Sequence, residues 1–274
     1  ALFAAFPYVY ATVFSGFYLA FILLLVALIF RAVAIEFRSK QPMRWWRQLW
    51  DVGFAAGSIL SSLLIGIAMG NIAWGIPLDA HGEFAGTFLG LLHPYALLLG
   101  VTTLALFMMH GAIYMVMKTG GDLHNQIRGW IKNCMIFFIV CYAITTMATL
   151  LYVPHMAERV RTHPWLFGVV LVVILAIANI PREIHRGRDG RAFISSCLTM
   201  AALMALFGLE MYPHLVFSHP DPAHSLTIHN AASSPKTLGI MLTIALIGIP
   251  IVLTYTISIY WIFRGKVKLD KTSY

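Results

Sequence analysis

Residues 13–40 read VFSGFYLAFILLLVALIFRAVAIEFRSK. From 13 to 30 there is no charged side chain, and Arg31, Glu36, Arg38 and Lys40 then follow within ten residues. An α-helix rises about 1.5 Å per residue, so roughly 20 apolar residues cross a hydrocarbon core of about 30 Å. Lipid offers no partner to an open amide, so such a stretch must be helical. The same pattern recurs at 52–72, 94–117, 130–153, 165–180, 193–215 and 238–263, the fifth being the shortest. Seven complete transmembrane helices are therefore expected. Residues 1–7, ALFAAFP, read as the tail of a partial preceding helix and not as a signal peptide, since no charged n-region stands before an apolar stretch.

Composition agrees. Of the 274 residues 59% are hydrophobic and 11% charged, against about 25% charged in a soluble domain. There is too little charge to coat a water-soluble globule, so the fold class is an all-α polytopic membrane bundle, with 1–274 as one integral membrane domain. The net charge of +8 does not point to nucleic acid, because the cations sit in short segments between apolar stretches and not on one face. Cys134, Cys141 and Cys197 lie in apolar runs without metal-ligand spacing and read as small hydrophobes.

Sixteen of the nineteen Lys and Arg fall in alternate connections, at 31–50, 118–132, 182–191 and after 263, while the other side holds Arg159, Arg161 and Lys236. The positive-inside rule places the richer side, with the C-terminus, in the cytoplasm. A missed or invented span would scramble this alternation. The opposite connections carry Asp79, His81 and Glu83, then His214, His219, His224 and His229 at intervals of five. That interval gives no i,i+4 pair, and a solvated loop is expected there with no metal site. Gly53, Gly57, Ser61 and Ser62 provide a small-residue face for close helix packing, and Pro250 is expected to kink the last helix.

No phosphate-binding loop, dinucleotide fingerprint or hydrolase signature is present. The candidates that remain are polar groups in apolar helices, which are costly there and hence suspect. Arg31 and Glu36 close the first complete span. Arg31 shares a helical face with residues 35 and 38, while Glu36 points nearer the opposite side, so each either seeks a partner elsewhere or snorkels to headgroups. Glu210, before Pro213, suits either proton handling in a desolvated place or a cap at the headgroup layer. His93 and His110 flank the third span; His110 suits a hydrogen bond to a neighbouring helix or, with a second axial residue that this helix does not offer, haem iron. The 13 Met and 18 Phe suit an isoprenoid pocket as well as ordinary lipid-facing and core packing.

Longer stretches add a resemblance. FAAFPYVYATVFSGFYLAFILLLVALIFRAVAIEFRSK (3–40) is similar to the second and third helices of subunit II of the bacterial cytochrome bd-type quinol oxidases. GNIAWGIPLD (70–79), LLHPYALLLG (91–100), MMHGAIYMVMKTGGDLH (108–124) and SLTIHNAASSPKTLGIMLTIALIGIPIVLTYTISIYWIFRGKVKL (225–269) resemble the same family in the same order, the cyanide-insensitive branch included. The resemblance implies two four-helix bundles and a peripheral helix, nine spans, of which this chain would be a fragment lacking about 70 N-terminal residues. It implies a bacterial inner-membrane subunit that ligates no haem itself and pairs with a haem-bearing subunit I, which holds haems b and d and the quinol site. Oxygen is reduced to water there in aerobic respiration. A structural quinone and a small accessory subunit occur in some members. By motif, Arg31 and Glu36 match the family's arginine and acidic residue at that helix end, which implies an arginine on a proton route, orienting water or a carboxylate, and an acid that holds the adjoining basic loop.

Two other classes stay in view. A secondary transporter would place its site at broken helices, with Gly248 and Pro250 as one such break. A scaffold would only stabilise a partner.

Overall fold

The computed structural model describes residues 2–267; Lys268 and Lys271, part of the expected basic tail, lie outside the described residues. The chain runs α1 (Leu2–Ala5), α2 (Pro7–Gly16), α3 (Tyr18–Arg38), α4 (Arg44–Trp74), α5 (Pro94–Lys118), α6 (Gly121–Tyr152), α7 (Pro154–Thr162), α8 (Leu166–His185), α9 (Asp189–Met211) and α10 (Pro235–Ile262). Among the described residues seven helices, α3, α4, α5, α6, α8, α9 and α10, are long and apolar enough to cross a membrane.

Their bounds differ from the apolar windows for a physical reason. A helix satisfies its own amides and so continues into the headgroup layer past the first charge. Thus α4 and α6 start at Arg44 and Gly121, several residues before the apolar stretch, and α8 runs through Pro181 to His185. The first span shifts the other way. The helix is interrupted at Phe17, whose φ of −100° and ψ of 16° leave the helical region, next to Gly16, which lies against Phe84 so closely that a Cβ would sit 2.8 Å from its ring. α3 therefore carries Arg31 and Glu36 inside its last two turns. α9 stops at Met211, short of the expected 215, since the residue before Pro213 is forced out of the α region; Tyr212 has φ −57° and ψ 135°.

α3 packs on α4, α4 on α5, and α5, α6, α8 and α9 close a four-helix bundle. Small residues set the approach. A Cβ on Gly57 would meet the Ala27 carbonyl at 2.6 Å, and one on Gly70 the Ala96 Cα at 2.7 Å. Gly57 and the buried Ser61 therefore serve as expected, whereas Gly53 has only its own helix's Trp50 nearby. The bundle core holds Ala105, Met109, Ile113, Ile127, Ile131, Phe138 and Ile180. At one end it is tied by Arg128, whose Nη1 donates to Asp189 Oδ1 at 2.8 Å and Nη2 to the Ile184 carbonyl at 2.6 Å. α10 has no buried residue and stays helical through Pro250.

The two ends carry different chemistry. At the basic end Lys118 Nζ donates to the Phe263 carbonyl at 2.6 Å, and Val267 N–H to the Lys118 carbonyl at 2.8 Å, which brings the α5–α6 connection and the chain after α10 together. At the other end, the loops expected to be solvated are folded into a cap. β1 (His214–Val216) pairs antiparallel with β2 (Leu226–Thr227), and Ile76 bridges to Ser218. Val216, Ser218, Ser225 and Leu226 are buried in it, and Leu78 O is 3.1 Å from His224 Nδ1. Gly75, with φ +99°, makes the turn out of α4; a Cβ there would also sit 2.9 Å from Phe217.

Candidate functional site

The sequence-marked polar groups fall into separate places. At the basic end Arg31 is exposed, with its guanidinium 5.6 Å from the Phe54 ring centroid on α4. Glu36 is exposed too and forms no ion pair among the described residues. The adjoining basic loop is held instead by Arg38, whose Nε donates to Asp51 Oδ1 at 2.6 Å, and by Trp46 Nε1, which donates to the Phe37 carbonyl at 2.7 Å. Asp51 was not marked by its sequence. Its signal was an acid set across a short helical hairpin from a run of cations.

His110, deep in α5, has its Nδ1 2.9 Å from Ser196 Oγ on α9, and its ring stacks on Phe193. This is the helix-to-helix hydrogen bond, and it engages Nδ1. Beside it Asn179 Nδ2 donates to Ser195 Oγ at 2.8 Å. His93 caps α5, accepting weakly from Ala96 N–H at 3.4 Å, and packs on Trp74.

Glu210 holds the more telling position. Partly buried, it lies on the wall of two cavities. One, of about 300 Å³, lies within the membrane-spanning region between α4, α5, α6 and α9. Its lining is mainly Leu, Met, Phe and Ile, with hydroxyls on one flank: Thr102 and Thr145 are joined at 2.7 Å, and Tyr95 and Thr149 at 2.9 Å. The other, of about 370 Å³, opens at the capped end between α7 and the chain after α9, where His155, His163 and His214 stand with Glu158 and Arg159. Among the described residues the Glu210 carboxyl has neither a hydrogen bond nor an ion pair. Arg159, the cation of the cleft, is committed elsewhere: its Nη1 donates to the Tyr212 carbonyl at 2.6 Å and it lies 4.3 Å over the Tyr212 ring. His155 Nε2 donates to the Ala73 carbonyl at 2.8 Å, and its ring stacks on Phe217 at 4.0 Å. Burial pushes the His155 imidazole below its usual range. α7 and this cleft left no mark in the apolar windows, because α7 is short and amphipathic.

Residues 1–263 match the family model described as cytochrome bd terminal oxidase subunit II. The chain belongs to that family. It is therefore one subunit of a multi-pass bacterial membrane oxidase. The cytochrome bd-I ubiquinol oxidase subunit 2 of Escherichia coli K12 is 34% identical over 298 aligned residues, covering 97% of this chain and 78% of the relative. The cytochrome bd ubiquinol oxidase subunit 2 of Bacillus subtilis is 30% identical with the same coverage. The structure of bd oxidase from Geobacillus thermodenitrificans superposes with a TM-score of 0.68 over 89% of this chain and 73% of that one, at 12% identity, which speaks for the fold alone. An unbroken α10 removes the helix break on which a transporter reading rested. As a subunit II, the chain offers two distinct polar stations: Arg31 with Glu36 at the basic end, and Glu210 between two cavities at the capped end.

Proposed function

We propose that this chain is the non-haem-ligating subunit of a cytochrome bd-type complex that oxidises quinol and reduces oxygen to water, and that it supports proton and oxygen access to a haem-bearing subunit I. The family match over 1–263 carries the reading. Haems b and d belong to the partner in this scheme. A small accessory subunit fits the same scheme. The basic end faces the cytoplasm by the distribution of Lys and Arg, and the C-terminus lies with it. The 1–274 segment acts as one membrane domain.

Three residues are assigned to proton handling. Arg31, without an ion pair among the described residues and two turns before the end of α3, orients water or a carboxylate at the cytoplasmic entrance. Glu36, exposed one and a half turns on, supplies local negative charge. Glu210 exchanges protons at the opposite end. The cavity beside Glu210 has room for a structural quinone: small-molecule sites run from roughly 300 to 1,000 Å³ and combine apolar walls with a few polar groups, and this one has hydroxyls from Tyr95, Thr102 and Thr145. Those side chains would hold a ring oxygen by hydrogen bonding, while Leu and Met side chains take the tail.

Substituting Arg31→Met in the assembled complex tests the mechanistic part. Haem absorption should stay at wild-type level while quinol-driven oxygen uptake falls by about tenfold, a barrier increment of about 1.4 kcal/mol. Normal assembly with normal turnover would leave this subunit as a scaffold.

A further inference from the structure

We propose that Glu210 exchanges protons with water on the histidine-bearing side of the membrane and with that side only, making the cavity between α4, α5, α6 and α9 a half-channel that ends blind toward the basic side. This rests on the proton-handling role given to Glu210 above and adds to it a direction.

The first support is position. Glu210 is the one residue that lines both the intramembrane cavity and the surface cleft among the described residues, so the two meet at it. The second is that nothing holds it. A carboxylate paired with Arg159 would be a fixed strut, but Arg159 is spent on Tyr212. The remaining titratable groups around Glu210 divide by element. From α7 and its end come His155, Glu158 and His163, and from the chain after α9 Tyr212 and His214. α5 and α6 give Tyr95 and Tyr142, while the α4 residues in the wall, Ile65, Met69 and Ala73, carry none. His155 is tied to the Ala73 carbonyl and His163 lies 2.9 Å from the Thr162 hydroxyl. Every imidazole near Glu210 thus lies on the cleft side.

The third support is the seal. Toward the basic end the bundle is filled by Met109, Ile113, Ile127, Ile131 and Phe138, each no more than 2% exposed. The polar side chains beyond that layer, His110 with Ser196, Asn179 with Ser195, and Thr199 donating to the Ser195 carbonyl, make no hydrogen bond to Thr102 or Thr145 among the described residues. A proton reaching Glu210 from the basic side would have to cross this apolar layer without a hydrogen-bonded carrier. From the cleft the step is short: a water or imidazolium N–H or O–H bond breaks, an O–H bond forms on the carboxylate, and the reverse returns the proton to the cleft. A hydrogen-bond donor lodged in the cavity would exchange through the same carboxyl.

A hydrophobic carbodiimide adds to a protonated membrane carboxyl to give a stable acylurea, and so reads Glu210 directly. The assembled wild-type complex is placed in sealed vesicles of known orientation, and the pH is set separately on each side. Peptide mass spectrometry then counts the adduct, with Glu210→Gln as the assignment control. Lowering the histidine side from about pH 8 to about pH 6 should raise the Glu210 adduct several-fold, while the same change on the basic side leaves it unaltered. Labelling that follows the basic side, follows both sides equally, or fails to occur at either pH overturns the half-channel. Oxygen uptake by Glu210→Gln is a separate readout. If labelling follows the histidine side but turnover is unchanged, the direction stands and the contribution of Glu210 to the oxidase falls.

Discussion

Charged side chains in these helices reach three different settlements, and each dictates a different response to mutation. Arg38 takes a partner, Asp51, but both are about half exposed, and exposed pairs contribute only about 0.2–1 kcal/mol. Asp51→Asn should therefore shift the thermal midpoint of the purified complex very little; a loss of several kcal/mol would mean that the pair is buried against something else. Arg31 reaches across to the Phe54 ring on α4. Glu210 instead faces two cavities. His155 adds a pH dependence. Burial, the dominant cause, holds its folded-state imidazole below the ordinary value of 6.5, so the folded form carries fewer protons than the unfolded one. Its stabilising contribution is complete above that value and is lost as pH falls below it. Thermal midpoints measured from about pH 7.5 to about pH 5 should decline less steeply in His155→Phe than in wild type, and equal slopes would assign the decline to other groups. Much of this was legible in the sequence as rarity: Arg31, Glu36 and Glu210 stand out because apolar helices seldom tolerate them. What they touch was not legible. Nothing in IFRAVAIEFRSK says that Arg38, and not Glu36, ties down the loop, since the partner Asp51 is brought near only by the α3–α4 hairpin.

At the scale of helices, glycine decides how closely α3, α4 and α5 approach. Gly70 faces the Ala96 backbone, which cannot yield as a side-chain tip can. Gly70→Ala should lower the thermal midpoint by the equivalent of about 1–3 kcal/mol, the usual range for overpacking. Gly111→Ala, where no atom lies within 4 Å of the added Cβ, serves as the control and should be neutral or slightly stabilising, as alanine is the better helix former. Equal losses at both sites would mean that packing at Gly70 is not what limits stability. The number and order of the spans could be read from apolar length, and their alternation from Lys and Arg. Their ends could not, because a helix outlasts the apolar window wherever its charges reach water, as at Arg44 and His185. The cap was missed for a related reason. Its buried residues, Val216, Ser218 and Leu226, are scattered among His, Asp and Pro, and the partner that buries them, Ile76, is far away in the chain.

The whole molecule is asymmetric across the membrane. One end is strongly basic and closed by packed side chains, and the other is capped, histidine-bearing and indented. α10 has no buried residue, so apolar exchanges along it should be well tolerated, whereas a lysine at Ile247 would cost roughly 2.5–3.5 kcal/mol at mid-membrane depth. Expression and extraction of Ile247→Leu beside Ile247→Lys checks this, and equal yields would argue that α10 does not face lipid. The most direct test of the central claim is to affinity-purify the tagged chain from membranes of cells that also make its partner subunit, and to record the absorption spectrum and subunit composition of what is recovered. A subunit II should bring with it a larger polypeptide and the bands of haem b and of a chlorin-type haem d. Recovery of the chain alone, without haem, from membranes that contain the partner would contradict the assignment.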